Sequence, residues 1–205
     1  MKKSGNNTKV NSSNNYSLNI KEEKIRDFKL QKMLYIIGFF AISLIGTLLH
    51  FAYEFFGNCI IIAPFSAVNE SIWEHLKIAV MPMFLWTFIE FITLKFRREN
   101  LWSSLLVKLV TVISFITVSY YTYTCLLGTH ILWVDILIFF VAILIAQVLG
   151  YKEITSKKIN VKYEEISKYL VIAIFLMFVI FTFIPPRINL FKDEVTSTYG
   201  VFEYR

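Results

Sequence analysis

Charge is scarce in this chain: only 18 % of its 205 residues are Asp, Glu, Lys or Arg, against 56 % hydrophobic. With a mean hydropathy of +0.57, that composition excludes an ordinary soluble domain, which carries more charge on its surface. Cysteine is nearly absent. Cys59 and Cys125 are the only two, too few for a disulfide framework, and a single bridge and two free thiols are both consistent with them. Two catalytic signatures are also missing, the Gly-x-Ser-x-Gly elbow of serine hydrolases and the His-Glu-x-x-His run of helical zinc sites. No internal repeat divides the chain in the manner of inverted-repeat transporters. The net charge of +6 and pI of 9.2 do not gather into one basic face. Lys and Arg instead flank apolar runs, which argues against nucleic acid and makes the lipid bilayer the expected partner.

Five apolar runs occupy residues 33–53, 76–94, 109–127, 131–149 and 169–184. About 20 apolar residues cross a bilayer as a helix, so the expected fold is all-α, an integral membrane bundle of five transmembrane helices in one domain, 31–186. The fifth run is short, but Lys168 can snorkel to extend it, and Pro185 and Pro186 end it. Before the first run the chain is rich in Asn, Ser and Lys, so residues 1–30 read as a disordered tail. The first run begins too far from the start for a secretory signal and reads as a retained span. After the last run, Phe191, Tyr199, Phe202 and Tyr204 alternate with charges, which predicts an extracytoplasmic tail, 187–205, that packs back on the outer face of the bundle.

Lys and Arg are missing from alternate connections. Lys21, Lys24, Arg26, Lys29 and Lys32 precede the first run, Lys95, Arg97 and Arg98 follow the second, and Lys152, Lys157, Lys158 and Lys162 separate the fourth and fifth. None lies between the first run and Lys77, or in the turn Gly128-Thr129. The positive-inside bias then predicts a cytoplasmic amino terminus and an outer carboxyl terminus.

That orientation brings all three histidines to the outer face. His50 ends the first helix, His75 opens the second, and His130 precedes the fourth, with Glu54, Glu70, Glu74 and Asp135 in the same layer. His50 and Glu54 are four apart and share a helical face, as do Glu70 with Glu74 and Ser71 with His75. Ser66 or Asn69 is suited to cap the second helix, with Glu70 in its first turn. Mixed imidazole and carboxylate donors are the ligands of zinc, iron and manganese sites. His50, Glu54, Glu70 and His75 are therefore the candidate metal ligands, for a divalent transition metal such as zinc. Glu74 and His75 are the candidate catalytic pair, although adjacent helical positions point about 100° apart. Ser66, Asn69, Ser71, His130, Asp135 and Asp193 are candidate binding residues around them. Asp135 and His130, five apart, sit near 140° on a helical wheel, so Asp135 is expected to reach toward another helix.

Elsewhere, Glu90 and Lys108 both fall on the cytoplasmic side of apolar runs and are expected to neutralise each other in an ion pair. Pro82 should kink the second helix. The loop 55–64 carries Ile60, Ile61 and Ile62 and is too apolar for free solution, so it is expected to lie at the interface or dip inward over the cluster.

The run Phe65-Ser66-Ala67-Val68-Asn69-Glu70-Ser71-Ile72-Trp73-Glu74-His75-Leu76-Lys77, preceded by His50-Phe51 and Tyr53-Glu54, resembles that of an uncharacterised family of small bacterial membrane proteins, a domain of unknown function. Pro185-Pro186, Leu190-Phe191, Asp193 and Tyr199-Gly200 extend the resemblance to the tail, whereas Asn189 and Glu194 stand where that family's pattern has proline. The resemblance implies membership and no activity. Two functions remain open from the residues themselves. One is a metal-dependent hydrolase acting on a lipid or other membrane-delivered substrate, with a metal activating water and a glutamate as base. The other is a non-enzymatic interaction or transport component in which the polar cluster locks helices or recognises a partner.

Overall fold

A computed structural model of the chain describes residues 5–94, 99–156, 160–193 and 195–202, with backbone alone for 5–24 and 27. Five helices make up the fold: α1 Gly5–Phe55, α2 Ile72–Thr93, α3 Leu101–Leu127, α4 Leu132–Ile154 and α5 Val161–Phe183. All five are long and apolar enough to cross a membrane, α1 through its stretch Phe28–Phe55. The backbone of α1 is helical from Gly5, ahead of the first apolar run. Residues 1–4 and the side chains up to Lys24, on which most of the expected tail falls, lie outside the described residues.

Two helices, α3 and α5, begin well ahead of their apolar runs, where polar side chains satisfy their first N–H groups. Asn160 accepts the Tyr163 N–H at 3.1 Å and starts α5 well before the apolar run at 169. At the start of α3, Asn100 makes no side-chain cap. Glu164, from the first turn of α5, accepts instead the N–H groups of Trp102 and Ser103 at 2.7 and 2.8 Å. A carboxylate against the positive end of a helix dipole is doubly favoured, and this one ties α3 to α5.

The most enclosed helix is α2, with 61 % of its apolar stretch buried against 22 % in α4 and α5. It packs between α1 and α3, while α3 also contacts α4 and α5, and α4 closes against α1. The outward faces are apolar, as lipid requires: Phe40, Leu44, Leu48, Phe88, Ile92, Val118, Leu137 and Leu176 are all exposed. Through Pro82, α2 continues as one helix.

Polar groups concentrate at the two ends of α2. In the half nearer the lysine-rich connections, Lys108 donates to Glu90 at 2.9 Å, and both side chains are fully buried, the ion pair that two opposite charges in apolar spans imply. The other end carries the histidines and is called the histidine end below. Here a single 3-10 turn, Asn189–Phe191, folds the carboxyl-terminal segment back. Phe191 packs on Trp73 and Phe181, with centroids 4.5 and 5.4 Å apart, and Trp73 stacks on Phe178 at 4.2 Å. Gly200 has a φ of +64° and lies so close to Pro185 that a Cβ would meet its Cγ at 2.9 Å.

Candidate functional site at the histidine end

The motif segment divides into residues that build the wall and residues left at its rim. Asn69 accepts the Ser71 N–H at 3.0 Å, forming a turn just ahead of α2, and also donates to the Gly200 carbonyl at 3.4 Å. The cap is then Ser71, whose hydroxyl accepts the Glu74 N–H at 3.4 Å. This corrects the expected cap at Ser66 or Asn69. Ser71-x-x-Glu74 has the spacing of a capping box, but Glu74 does not return to the cap. Its carboxylate accepts the Val68 N–H at 3.1 Å and lies 2.5 Å from Lys77 Nζ.

Lys77 is the organising residue that the sequence reading missed. Its side chain is fully buried and Glu74 is 2 % exposed. Beyond Glu74, the ammonium donates to the carbonyls of Ala63 at 2.9 Å and Ser66 at 3.1 Å, so all three of its donors are used. The apolar loop after α1 is pinned by this lysine at buried Ala63 and Ser66, while Ile60, Ile61 and Phe65 face outward. Ser66 adds a second tie. Its hydroxyl donates to the Leu49 carbonyl and accepts the Tyr53 N–H at 3.0 Å, bracing the last turns of α1.

With those residues inside the wall, three side chains converge at the rim. One ligand atom each from His50, Glu70 and His75 lies within 4.8 Å of the others. His75 Nε2 is 3.4 Å from Glu70 Oε2, and the His50 and His75 rings have centroids 5.2 Å apart. His75 Nδ1 lies 2.9 Å from the Ser71 carbonyl. A carbonyl only accepts, so Nδ1 carries the hydrogen and Nε2 is left facing Glu70. Donation of the distal ring N–H to a backbone carbonyl is how metal-binding histidines are commonly oriented. His50 Nδ1 is buried with no hydrogen-bond partner among the described residues. Glu70 precedes the helix rather than sitting in its first turn, and its side chain is 53 % exposed. The group is open on one side.

The remaining candidates stand apart from this group. Glu54 is exposed one turn beyond His50 and is not among the three. Glu74, the candidate base, turns inward to Lys77, while His75, about 100° round the helix, faces the rim. His130 and Asp135 do meet, at 3.3 Å. His130 precedes the helix, whose cap is Ile131, so the helical-wheel angle does not govern the pair. Asp135 also reaches another helix, as expected, and accepts a short hydrogen bond from the Tyr123 hydroxyl of α3. Asp193 is 4 % exposed and shapes its own turn, accepting from the Val195 N–H at 2.8 Å and the Thr196 hydroxyl at 2.7 Å. Cys59 and Cys125 are free thiols.

The model of a family of unknown function, DUF6512, matches residues 23–201. The chain belongs to this family. The match takes in α1 from residue 23 through the returning carboxyl-terminal segment, and hence every residue of the histidine-end network. No curated protein and no solved structure matches the chain. Membership in DUF6512 carries no activity, so the chemistry rests on the three side chains at the rim.

Proposed function

We propose that this protein is a multi-pass protein of the bacterial cytoplasmic membrane. On this reading it holds a divalent transition metal, zinc by donor type, at an outward-facing site of His50, Glu70 and His75. The convergence of those three donors within 4.8 Å carries the reading, supported by the unpartnered His50 Nδ1 and by the carbonyl that orients His75. Tetrahedral zinc, with bonds of about 2.0–2.2 Å, sets its ligands about 3.4 Å apart, so rotamer-scale closure assembles the site. Three protein ligands leave one position for water, the arrangement of catalytic rather than structural zinc. The metal would lower the pKa of that water and make it a nucleophile at neutral pH. The substrate would be a lipid or another molecule delivered through the membrane, because the wall beside the site exposes Phe55, Ile60, Ile61 and Phe65. Glu74, held by Lys77, positions the wall and does not act as base.

Titration of metal-stripped protein with zinc tests this reading. Stoichiometric binding that is abolished in His50→Ala and His75→Ala and weakened in Glu70→Ala is expected. Binding that is equal in all four proteins would overturn it. A second reading has its own observation: with both ring nitrogens of His75 protonated, the Glu70–His75 contact at 3.4 Å is an ion pair complete without a metal. In that case the contact braces the start of α2, with the His75 ring set against His50 of α1, in a non-enzymatic membrane component, and the same substitutions loosen the fold while parent and variants alike bind no stoichiometric metal.

A further inference from the structure

The far end of α2 carries a second polar layer that is incompletely satisfied. Four helices contribute to it. Lys108 of α3 donates to Glu90 at 2.9 Å and to the Thr87 hydroxyl at 3.0 Å, and sits 5.0 Å from the centroid of the Tyr35 ring. Ser104 donates to the Gly150 carbonyl at 2.9 Å, which leaves the Tyr35 hydroxyl to donate to Ser104 at 2.7 Å. Gln147 of α4 donates to the Tyr35 carbonyl at 3.4 Å. Around these bonds, five buried atoms have no partner among the described residues: Glu90 Oε1, Gln147 Oε1, Trp86 Nε1, and both Nε2 and Oε1 of Gln31. Their residues are nearly or wholly enclosed, Gln31 and Glu90 at 0 %, Gln147 at 3 % and Trp86 at 8 %.

These atoms belong to one neighbourhood. Trp86 and Glu90 are one turn apart on α2, as are Gln31 and Tyr35 on α1. A Cβ placed on Gly38 would meet Gln147 Nε2 at 2.2 Å and Trp86 Nε1 at 2.4 Å, so the amide and the indole crowd the same patch of α1. In the hydrocarbon zone no solvent reaches such groups from outside, and leaving them bare is costly. The charges of Glu90 and Lys108 cancel, and Gln31, Trp86 and Gln147 are neutral, so the layer offers an ion no net attraction. It presents acceptors and donors together. A small neutral molecule that both donates and accepts, with two to four partners, fits that description.

We propose that this layer is a hydration site, where water bridges Glu90 Oε1, Gln147 Oε1 and Trp86 Nε1, with Gln31 one turn away. On that reading α2 bears a polar site at each end, separated by Pro82 and an apolar middle. Hydroxyl-radical footprinting of the full chain in lipid nanodiscs tests it, since radicals form from water bound beside a buried side chain. Oxidation of Trp86 should fall severalfold in Gln147→Leu, which removes the bridging acceptor. Trp86 oxidation equal in the two proteins would overturn the proposal, because it would then come from bulk exposure alone. Should Gln147→Leu fail to fold, an experimental density map of the parent decides. Ordered density within hydrogen-bond distance of Glu90 Oε1 and Gln147 Oε1 is expected, and direct pairing of the amides with Glu90, with no density between, would overturn it.

Discussion

Replacing Lys77 with methionine should be severely destabilising. Methionine keeps much of the volume but removes the ammonium, and three acceptors lose a partner at once: Glu74 Oε2 at 2.5 Å, the Ala63 carbonyl at 2.9 Å and the Ser66 carbonyl at 3.1 Å. Breaking one side of a buried ion pair costs about 3–5 kcal/mol, because the partner charge is stranded. Each buried carbonyl left bare adds about 1–3 kcal/mol. The expected loss is therefore at least ~5 kcal/mol, a large part of a typical stability of about 5–15 kcal/mol. Glu74→Gln should cost less, since the ammonium keeps its two carbonyls. Combining Lys77→Met with Glu74→Gln removes the stranded charge and should recover part of the single-variant loss. Unfolding in mixed micelles by SDS titration, on all four proteins, measures the cycle. A Lys77→Met protein within about 1 kcal/mol of the parent, or a double variant no more stable than Lys77→Met, would refute the claim that Lys77 pins the wall.

Four further outcomes follow from the same contacts. Glu164→Ala should cost about 1–2 kcal/mol through the lost cap and speed amide exchange at Trp102 and Ser103, while unchanged exchange there would show that the cap is dispensable. Gly38→Ala should destabilise by about 1–3 kcal/mol, read by thermal unfolding in detergent, because its Cβ would fall 2.2 Å from Gln147 Nε2 and 2.4 Å from Trp86 Nε1. His130→Ala should leave metal binding at parental affinity, since His130 pairs with Asp135 and stands outside the three-residue group; a loss matching His50→Ala would enlarge the site. Zinc affinity should fall on acidification, because histidine must be deprotonated to ligate, and a titration series across pH that shows no weakening would argue against imidazole ligation.

Much of the fold was legible because hydropathy alone separates membrane spans from connections, and caps then moved the ends outward. The Glu90–Lys108 pair was legible for a related reason: two opposite charges stranded in apolar runs have few alternatives. Lys77 was not legible. At the start of an apolar run it reads as a boundary lysine, and only the path of the preceding loop turns it into an internal staple. The start of α2 was signalled by Ser71-x-x-Glu74, but that signal competed with equally good caps at Ser66 and Asn69, and the inward turn of Glu74 follows from Lys77. His130 illustrates a wrong premise of another kind, since a helical angle was applied across a helix start. The cap supplied by Glu164 joins residues more than 60 positions apart and leaves no local mark. For the site itself, residue types pointed to His50, Glu70 and His75 together with several neighbours. Of the four expected ligands, His50, Glu70 and His75 come together and Glu54 stays outside, exposed one turn beyond His50, while Ser66, Asn69, Ser71 and Glu74 build the wall.

Metal analysis of the purified protein tests the central claim most directly, carried out on the parent, His50→Ala and His75→Ala after equal exposure to zinc, with circular dichroism to verify that each is folded. The account predicts stoichiometric zinc in the parent and its loss in both folded variants. A folded parent that holds no stoichiometric metal under several loading conditions would contradict it.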